Sequence, residues 1–596
     1  MKTNKFLCFF ILIYISLTFS ACLSKGAEKT EKPAVTWNTP EELVSLMTLE
    51  EKIGQMTQAE QNDVLKGDIK KYALGSVLSG GDSIPPKNNA ENWVAMINRF
   101  TAESFETRLG IPIIYGLDAV HGQSKVTDAV MFPHNIGLGA IAAGNRERGI
   151  QAAYTAGKIT AEEMRATNVF WTFSPVIGVA EDVRWGRTYE CFSENVEIVT
   201  FMGESLIKGL QDNGVAACMK HYIGEGQTIN GKNQGNALLD RDGINRILPP
   251  YRAAVNANAL TLMPSYSSVN GLKMHEHKEL LTDVLKNELN FKGFVISDWD
   301  AVRQLSGGSY KVQIANAINA GVDMVMATGG RNQWILFIQN LKALVEEGAV
   351  PISRIDDAAL RIIRVKQQLG FFKETDAPFV KINGIIGSDE NRIEARAMVS
   401  DSMVLLRNEN NIINRLPSFK NILIAGQGAD NIGMQCGGWT VTWQGRHGPT
   451  TKGTTIFEGI KSALNGKADV THSANGNARG NFDAVIAVIG EGPYAEGEGD
   501  RSGSIDIRAN DRMMLRNVYN YKCPVIVIML SGRPMNIGDE YNNWDGFIAA
   551  WLPGSEGGGI ADVLFGVRDF TGRTPFTWRK NFNGEILYPF GFGLTK

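Results

Sequence analysis

Short apolar runs, each stopped by a polar break, recur along the first half of the chain at 111–115, 169–173, 215–219, 260–263, 294–296 and 322–326. Runs this short, bounded by Gly or polar residues, read as buried parallel strands. Between them lie stretches with helical apolar spacing, such as 279–289 and 310–319. Thr39-Pro40-Glu41-Glu42 reads as a capped helix start with Pro at the first helical position. Strand, polar loop and helix repeated six or more times predict an α/β fold with a parallel sheet. The length of the repeating part, 39–373, favours a (β/α)8-like TIM barrel over a doubly wound sheet.

Residues 374–392 carry mixed charge, Pro378 and Gly384 without a clear period, and are expected to form a linker. The pattern then resumes over 393–596 with fewer strands, at 421–425, 484–489, 525–530 and 547–551. This predicts a doubly wound α/β sandwich, with ligand sites at the strands' carboxyl ends. Gly426 and Gly428 hint at a dinucleotide loop, but Asn431 stands where a third Gly is required, so that reading fails.

At 596 residues the chain exceeds one core, and a net charge of −3 gives no sign of nucleic acid or an anionic membrane as partner. Its first residues read as an address. Lys2 and Lys5 precede an apolar run, and Phe19-Ser20-Ala21-Cys22 resembles a bacterial lipobox, with Phe19 a mild departure. A lipoprotein signal peptide over 1–22, lipidation at Cys22 and a flexible tether over 23–38 are expected, which places the protein in the periplasm or at the outer membrane. Of the six cysteines, Cys191, Cys218, Cys436 and Cys523 lie far apart and form no CxxC pair, so they are expected to be buried small apolar residues.

Ionisable groups gather where the predicted barrel strands end: Asp118, His121, Arg187, Lys220, His221 and Asp298. Asp298, after the 294–296 run, is placed equally well to cap the next helix or to serve at a barrel mouth. In the second half, one dense acidic loop follows a strand directly, with Glu491, Glu496, Glu498 and Asp500. It reads as a reach across a domain cleft, a solvated turn or a hard-cation site, although it lacks the EF-hand alternation. His275-Glu276-His277 lacks the helical spacing of a zinc motif and is expected at the surface.

The motifs together resemble glycoside hydrolase family 3, on the branch of β-glucosidases and plant-type exo-1,3/1,4-β-glucanases. The residues that carry the resemblance run at 47–56, 115–122, 184–190, 220–224, 293–299, 437–445, 491–500 and 588–594. The resemblance implies a barrel followed by an α/β sandwich, with the active site between them. It implies Asp298 as nucleophile and Glu496 as general acid/base, with Glu491 and Glu498 as competing assignments. Asp118, Arg187, Lys220 and His221 would grip the first sugar, with Tyr266 beside the nucleophile. Trp299 and Trp443, with Trp439, would flank the next sugar. A retaining glycosidase needs two carboxyl groups about 5–5.5 Å apart, one ionised and one protonated. Lys220 and Arg187 would lower the nucleophile's pKa. Hydrolysis of this kind requires no cofactor, and no metal ligand set is assigned.

Two departures stand out. Plant-type relatives often carry an acidic residue in the loop after the Lys-His pair, whereas Gln234 lies near that place here. The sequence also ends soon after Leu594, without the third, fibronectin-like domain of many bacterial β-glucosidases. The expected activity is exo-acting, retaining release of glucose from β-gluco-oligosaccharides or β-glucans. The alternatives are a β-xylosidase or N-acetylglucosaminidase of the same family, and a lipid-anchored, non-catalytic glycan-binding protein.

Overall fold

The computed structural model describes residues 36–372 and 384–595. The lipobox, most of the tether, residue 373 and residues 374–383 of the expected linker lie outside these residues.

Eight parallel strands close a ring in the first half: β1 (Thr57–Glu60), β2 (Ser76–Ser79), β3 (Ile114–Leu117), β4 (Trp171–Thr172), β5 (Cys218–Tyr222), β6 (Thr261–Pro264), β7 (Phe294–Val295) and β8 (Val325–Met326). β1 pairs with both β2 and β8, and pairing then runs in order to β4. β5, β6 and β7 pair in turn. Two parallel bridges, Trp171 with Ala216 and Ile296 with Met324, close the two gaps. The strands are short and their interior is filled with apolar side chains, so the barrel is a packed core whose polar groups are displaced to its mouth.

The local signals act as expected at helix starts. Thr39 caps Pro40–Leu46 by accepting from the Glu42 N–H. Thr48 and Glu51 form a reciprocal capping box on Leu49–Gln55. The stretch predicted at 279–289 is helical over Glu279–Glu288, wound as a π-helix. The last four residues of the expected linker open the helix Asp389–Ser402, capped by Ser388.

The second half builds a six-stranded sheet from β9 (Val404–Asn408), β10 (Asn421–Ala425), β11 (Asp469–Ser473), β12 (Ala484–Gly490), β13 (Val525–Leu530) and β14 (Gly546–Trp551). Its order is β9-β14-β13-β12-β10-β11, parallel except for β9. Alternation along the strands divides the apolar side chains between two cores. Leu423, Val485, Val527 and Phe547 face a core shared with Val120, Ile136, Trp185 and Tyr189 of the barrel half. Ile422, Ile486, Ile528 and Ile548 face the helices Ile456–Leu464 and Gly558–Leu564. The sheet therefore docks on the barrel through part of one face, which it shares with the helix Ala509–Tyr519, and the carboxyl ends of β12 and β13 meet the barrel's mouth there.

Cys191, Cys218 and Cys436 are buried and free, but Cys523, just before β13, is only partly buried, packed against the rim of the core shared with the barrel half. The His275 prediction needs a larger correction: the side chain is 1% exposed, while Glu276 and His277 are half-buried. The short turn Met274–Glu276 folds inward because Met274 enters the barrel core and carries its neighbour with it.

Candidate active site

At the centre of the mouth, Asp298 follows β7 and is 9% exposed. Its Oδ1 accepts from the Trp299 N–H at 2.7 Å, and its own N–H donates to His275 Nε2 at 2.9 Å. The remaining oxygen, Oδ2, is buried, accepts no hydrogen bond from the described residues and lies 3.7 Å from His221 Nε2. A carboxylate held by one oxygen, with the other free, is aimed rather than consumed.

Around it stand basic side chains held by carboxylates. Lys220 Nζ donates to Asp118 Oδ1 at 2.9 Å. Arg187 makes a two-pronged fork onto Glu190, 2.9 Å on each prong, and turns its third nitrogen to Glu496 Oε1 at 3.2 Å. His221 Nδ1 lies 2.8 Å from Glu225 Oε2. Burial opposes the charge on Lys220, but Asp118 and Glu190 outweigh it and its pKa rises. Burial, with Arg187 and Lys220, drives His221 far below its ordinary range, so the ring is neutral. Burial pushes Glu225 up to about 7.

Glu496 belongs to the second half, yet it completes this cluster. Its loop sits directly on Gly186, where a Cβ would come within 2.0 Å of the Glu496 carbonyl oxygen; no larger residue fits there. The three candidate acids separate cleanly. Glu498 is exposed. Glu491 is buried and already committed to Arg533, the Tyr494 hydroxyl and the Gly532 N–H. Glu496 alone faces the cation cluster. Burial raises its pKa, against the pull of Arg187. Burial, and then the neighbouring Glu496 charge, push Asp298 up to about 7. Lys220 and Arg187 do pull Asp298 downward, as the sequence suggests, but desolvation wins. Two carboxyl groups in one such site favour sharing a single proton.

The aromatic residues divide. Trp299 and Trp443 are 39% and 36% exposed, and both are tied to the turn after β2. The Trp299 ring lies so close over Gly80 that a Cβ there would sit 2.0 Å from the indole, and the Trp443 N–H donates to Asp82 Oδ1 at 2.7 Å. Trp439, expected beside them, is instead 6% exposed. It lies under the cations, 5.6 Å from Lys220 Nζ and 5.8 Å from the Arg187 guanidinium. Tyr266 bonds the Trp299 carbonyl. It lines a small cavity with Arg187, His221, Asn233, Gln234 and Asp298.

His121, counted among the strand-end ionisable groups, stays out of this cavity. It is stacked on His134 at 3.8 Å and bonds Phe132 and Thr440, bracing the loop that carries Trp439. Sequence reasoning missed Glu190, Glu225, His275 and Asp82. The first two had a signal: acids three and four residues after Arg187 and His221. The other two reach the site only through tertiary folding.

The glycosyl hydrolase family 3 N-terminal domain matches residues 48–365, and the family's C-terminal domain matches 403–596. A lysosomal beta glucosidase of Dictyostelium discoideum is 33% identical over 607 residues, covering 92% of this chain and 72% of that protein. A periplasmic beta-glucosidase of Salmonella typhimurium is 26% identical over 647 residues, covering 93% of this chain and 80% of that protein. The crystal structure of an exo-1,3/1,4-beta-glucanase from a Pseudoalteromonas species superposes with a TM-score of 0.87 at 35% identity, over 94% of this chain and 76% of that one. Matched through both halves, this chain belongs to glycosyl hydrolase family 3.

Proposed function

We propose that this protein is an exo-acting, retaining β-glucosidase or exo-β-glucanase that removes terminal glucose from β-gluco-oligosaccharides or β-glucans. One observation carries the reading: two carboxyl groups, buried Asp298 and half-buried Glu496, are brought from separate halves of the chain to a single cluster of cations. Asp298 Oδ2 attacks the anomeric carbon while Glu496 passes its proton to the departing glycosidic oxygen, forming a glucosyl ester. Ester formation removes the Asp298 charge that holds the Glu496 proton. Glu496, now ionised beside Arg187, takes a proton from water as the water's oxygen attacks the same carbon and releases the Asp298 carboxylate. Asp118, Lys220, Arg187 and His221 would hold the sugar hydroxyls, strengthening those bonds as positive charge develops on the ring. Trp299 and Trp443 would hold the next sugar between indole faces.

The test is glucose release from β-1,2-, 1,3-, 1,4- and 1,6-linked glucose disaccharides, with β-xylosyl and N-acetylglucosaminyl aryl glycosides alongside. Fast release from at least one disaccharide is expected, and the ranking gives the linkage. Activity confined to the xyloside or glucosaminide overturns the glucosidase reading, and silence throughout favours a binding protein.

The N-terminal run and the relationship to a periplasmic enzyme support export, with a lipid anchor on Cys22. Labelling of the cells with a radioactive fatty acid should mark the protein, and Cys22→Ser should abolish the label. A label that survives the substitution removes the anchor.

A further inference from the structure

We infer that Arg533 is a positioning residue that sets the reach of Glu496, by pinning the acidic loop of the second half onto the barrel; the inference rests on the acid/base reading of Glu496. Arg533 follows β13 and is fully buried. Its Nη1 donates to three barrel carbonyls, those of Val183, Arg184 and Trp185, at 3.1, 3.1 and 3.3 Å. Nη2 donates to the Gly499 carbonyl at 2.6 Å and to Glu491 Oε1 at 3.0 Å. One planar fork therefore grips both sides of the interdomain seam, two to four residues before Arg187 on one side and three residues after Glu496 on the other.

The surrounding bonds converge on the same seam. Glu491 fixes the loop's first residue to Arg533, and through Tyr494 and Gly532 to its own strand end. Asp500, at the loop's far end, accepts from the Gly186 N–H at 2.9 Å and the Asn233 N–H at 2.7 Å. Tyr189 donates to the Tyr494 carbonyl at 2.7 Å. Between these fixings, residue 496 adopts φ 53°, which a non-glycine residue holds only when its surroundings impose it. A lysine at 533 would carry the charge to one or two of these acceptors but could not span all of them, because its donors radiate from one point.

The experiment compares kcat/KM for a glucose disaccharide and for 2,4-dinitrophenyl β-glucoside, whose leaving group needs no proton, in Arg533→Lys and Glu491→Gln. Glu496→Ala runs in parallel. Arg392→Lys serves as control, because Arg392 also bridges the two halves, through Asp128 and Glu556, but touches no residue of the acidic loop. A displaced acid should cost the disaccharide on the order of 10²-fold and the activated glucoside only a few-fold. Arg392→Lys should leave the ratio of the two substrates unchanged, whatever it does to the melting temperature. If Arg533→Lys fails to fold, Glu491→Gln carries the comparison. Equal losses on both substrates, or none, in the folded variants overturn the positioning role. If Glu496→Ala itself shows no dependence on the leaving group, the acid/base reading fails instead.

Discussion

Asp298→Ala is expected to lower glucosidase kcat/KM by on the order of 10⁴-fold or more, about 5.5 kcal/mol of transition-state stabilisation at 1.36 kcal/mol per tenfold. The loss should be chemical and not structural. Among the described residues the Asp298 side chain makes one hydrogen bond, accepting its neighbour's N–H, and burial works against its charge. The contact with His275 uses the main chain of residue 298 and survives the substitution. The variant should therefore melt at or above the temperature of the parent, as when a functional group is held at a cost to stability. Azide filling the space left by the carboxylate should yield the α-glucosyl azide, because it enters from the face Asp298 occupied. Substantial activity in a folded Asp298→Ala protein sinks the nucleophile assignment.

Glu496→Ala should produce the second large effect, with a different signature. Loss of general acid catalysis should cost roughly 10²–10⁴-fold in kcat/KM on disaccharides and little on activated aryl glucosides. Deglucosylation then lacks its base, so kcat on the activated substrate falls, and azide should restore it while yielding the β-glucosyl azide. The pH profile gives an independent reading through Glu496→Gln. In the parent, the acidic limb of kcat/KM follows ionisation of Asp298, which burial pushes upward. The competent enzyme has Glu496 protonated, so a neutral amide at 496 keeps its charge state and the acidic limb should stay in place or move slightly to higher pH. The basic limb set by loss of the Glu496 proton should vanish. An acidic limb that moves to lower pH shows that Glu496 is ionised in the competent enzyme and overturns its assignment as the acid. If Glu498→Ala behaves in this way instead, the acid lies two residues further along the loop.

Much of this molecule is legible along the chain because its strands are buried on both sides. Full burial demands continuous apolar runs, and such runs stop sharply where polar chemistry begins. The runs at 421–425 and 525–530 match β10 and β13 end to end, Asp298 was singled out because it follows the 294–296 run, and Lys220 and His221 because they stop the 215–219 run, although in the fold those two lie inside β5. Four strands escaped notice for physical reasons. β1 and β2 carry Thr57, Gln58, Glu60, Ser76 and Ser79, whose polar atoms find partners within the fold, as when Gln58 Nε2 donates to Ser76 Oγ at 2.8 Å and Thr57 Oγ1 to the Ile53 carbonyl. β11 is an edge strand with one wet side, and β9 is the antiparallel edge that carries Arg407 and Asn408.

The linear pattern established which chemistry was present: two α/β halves, a strand-end aspartate, a Lys-His pair and one acidic loop. Spacing and residue type alone do not choose among Glu491, Glu496 and Glu498, and only the family resemblance favours Glu496. Packing in three dimensions separated them, since burial, a buried arginine or open water decides what a carboxylate does. The same holds for the tryptophans: Trp439 and Trp443 share a loop, yet one is driven beneath Lys220 and the other held at the mouth by Asp82. His275 shows the limit most plainly. Nothing near it in sequence marks it, and it reaches the Asp298 N–H only because Met274 needs the barrel core. Local pattern reports the solvent exposure a residue prefers, whereas a site is assembled from residues far apart in the chain, whose meeting depends on how whole elements pack.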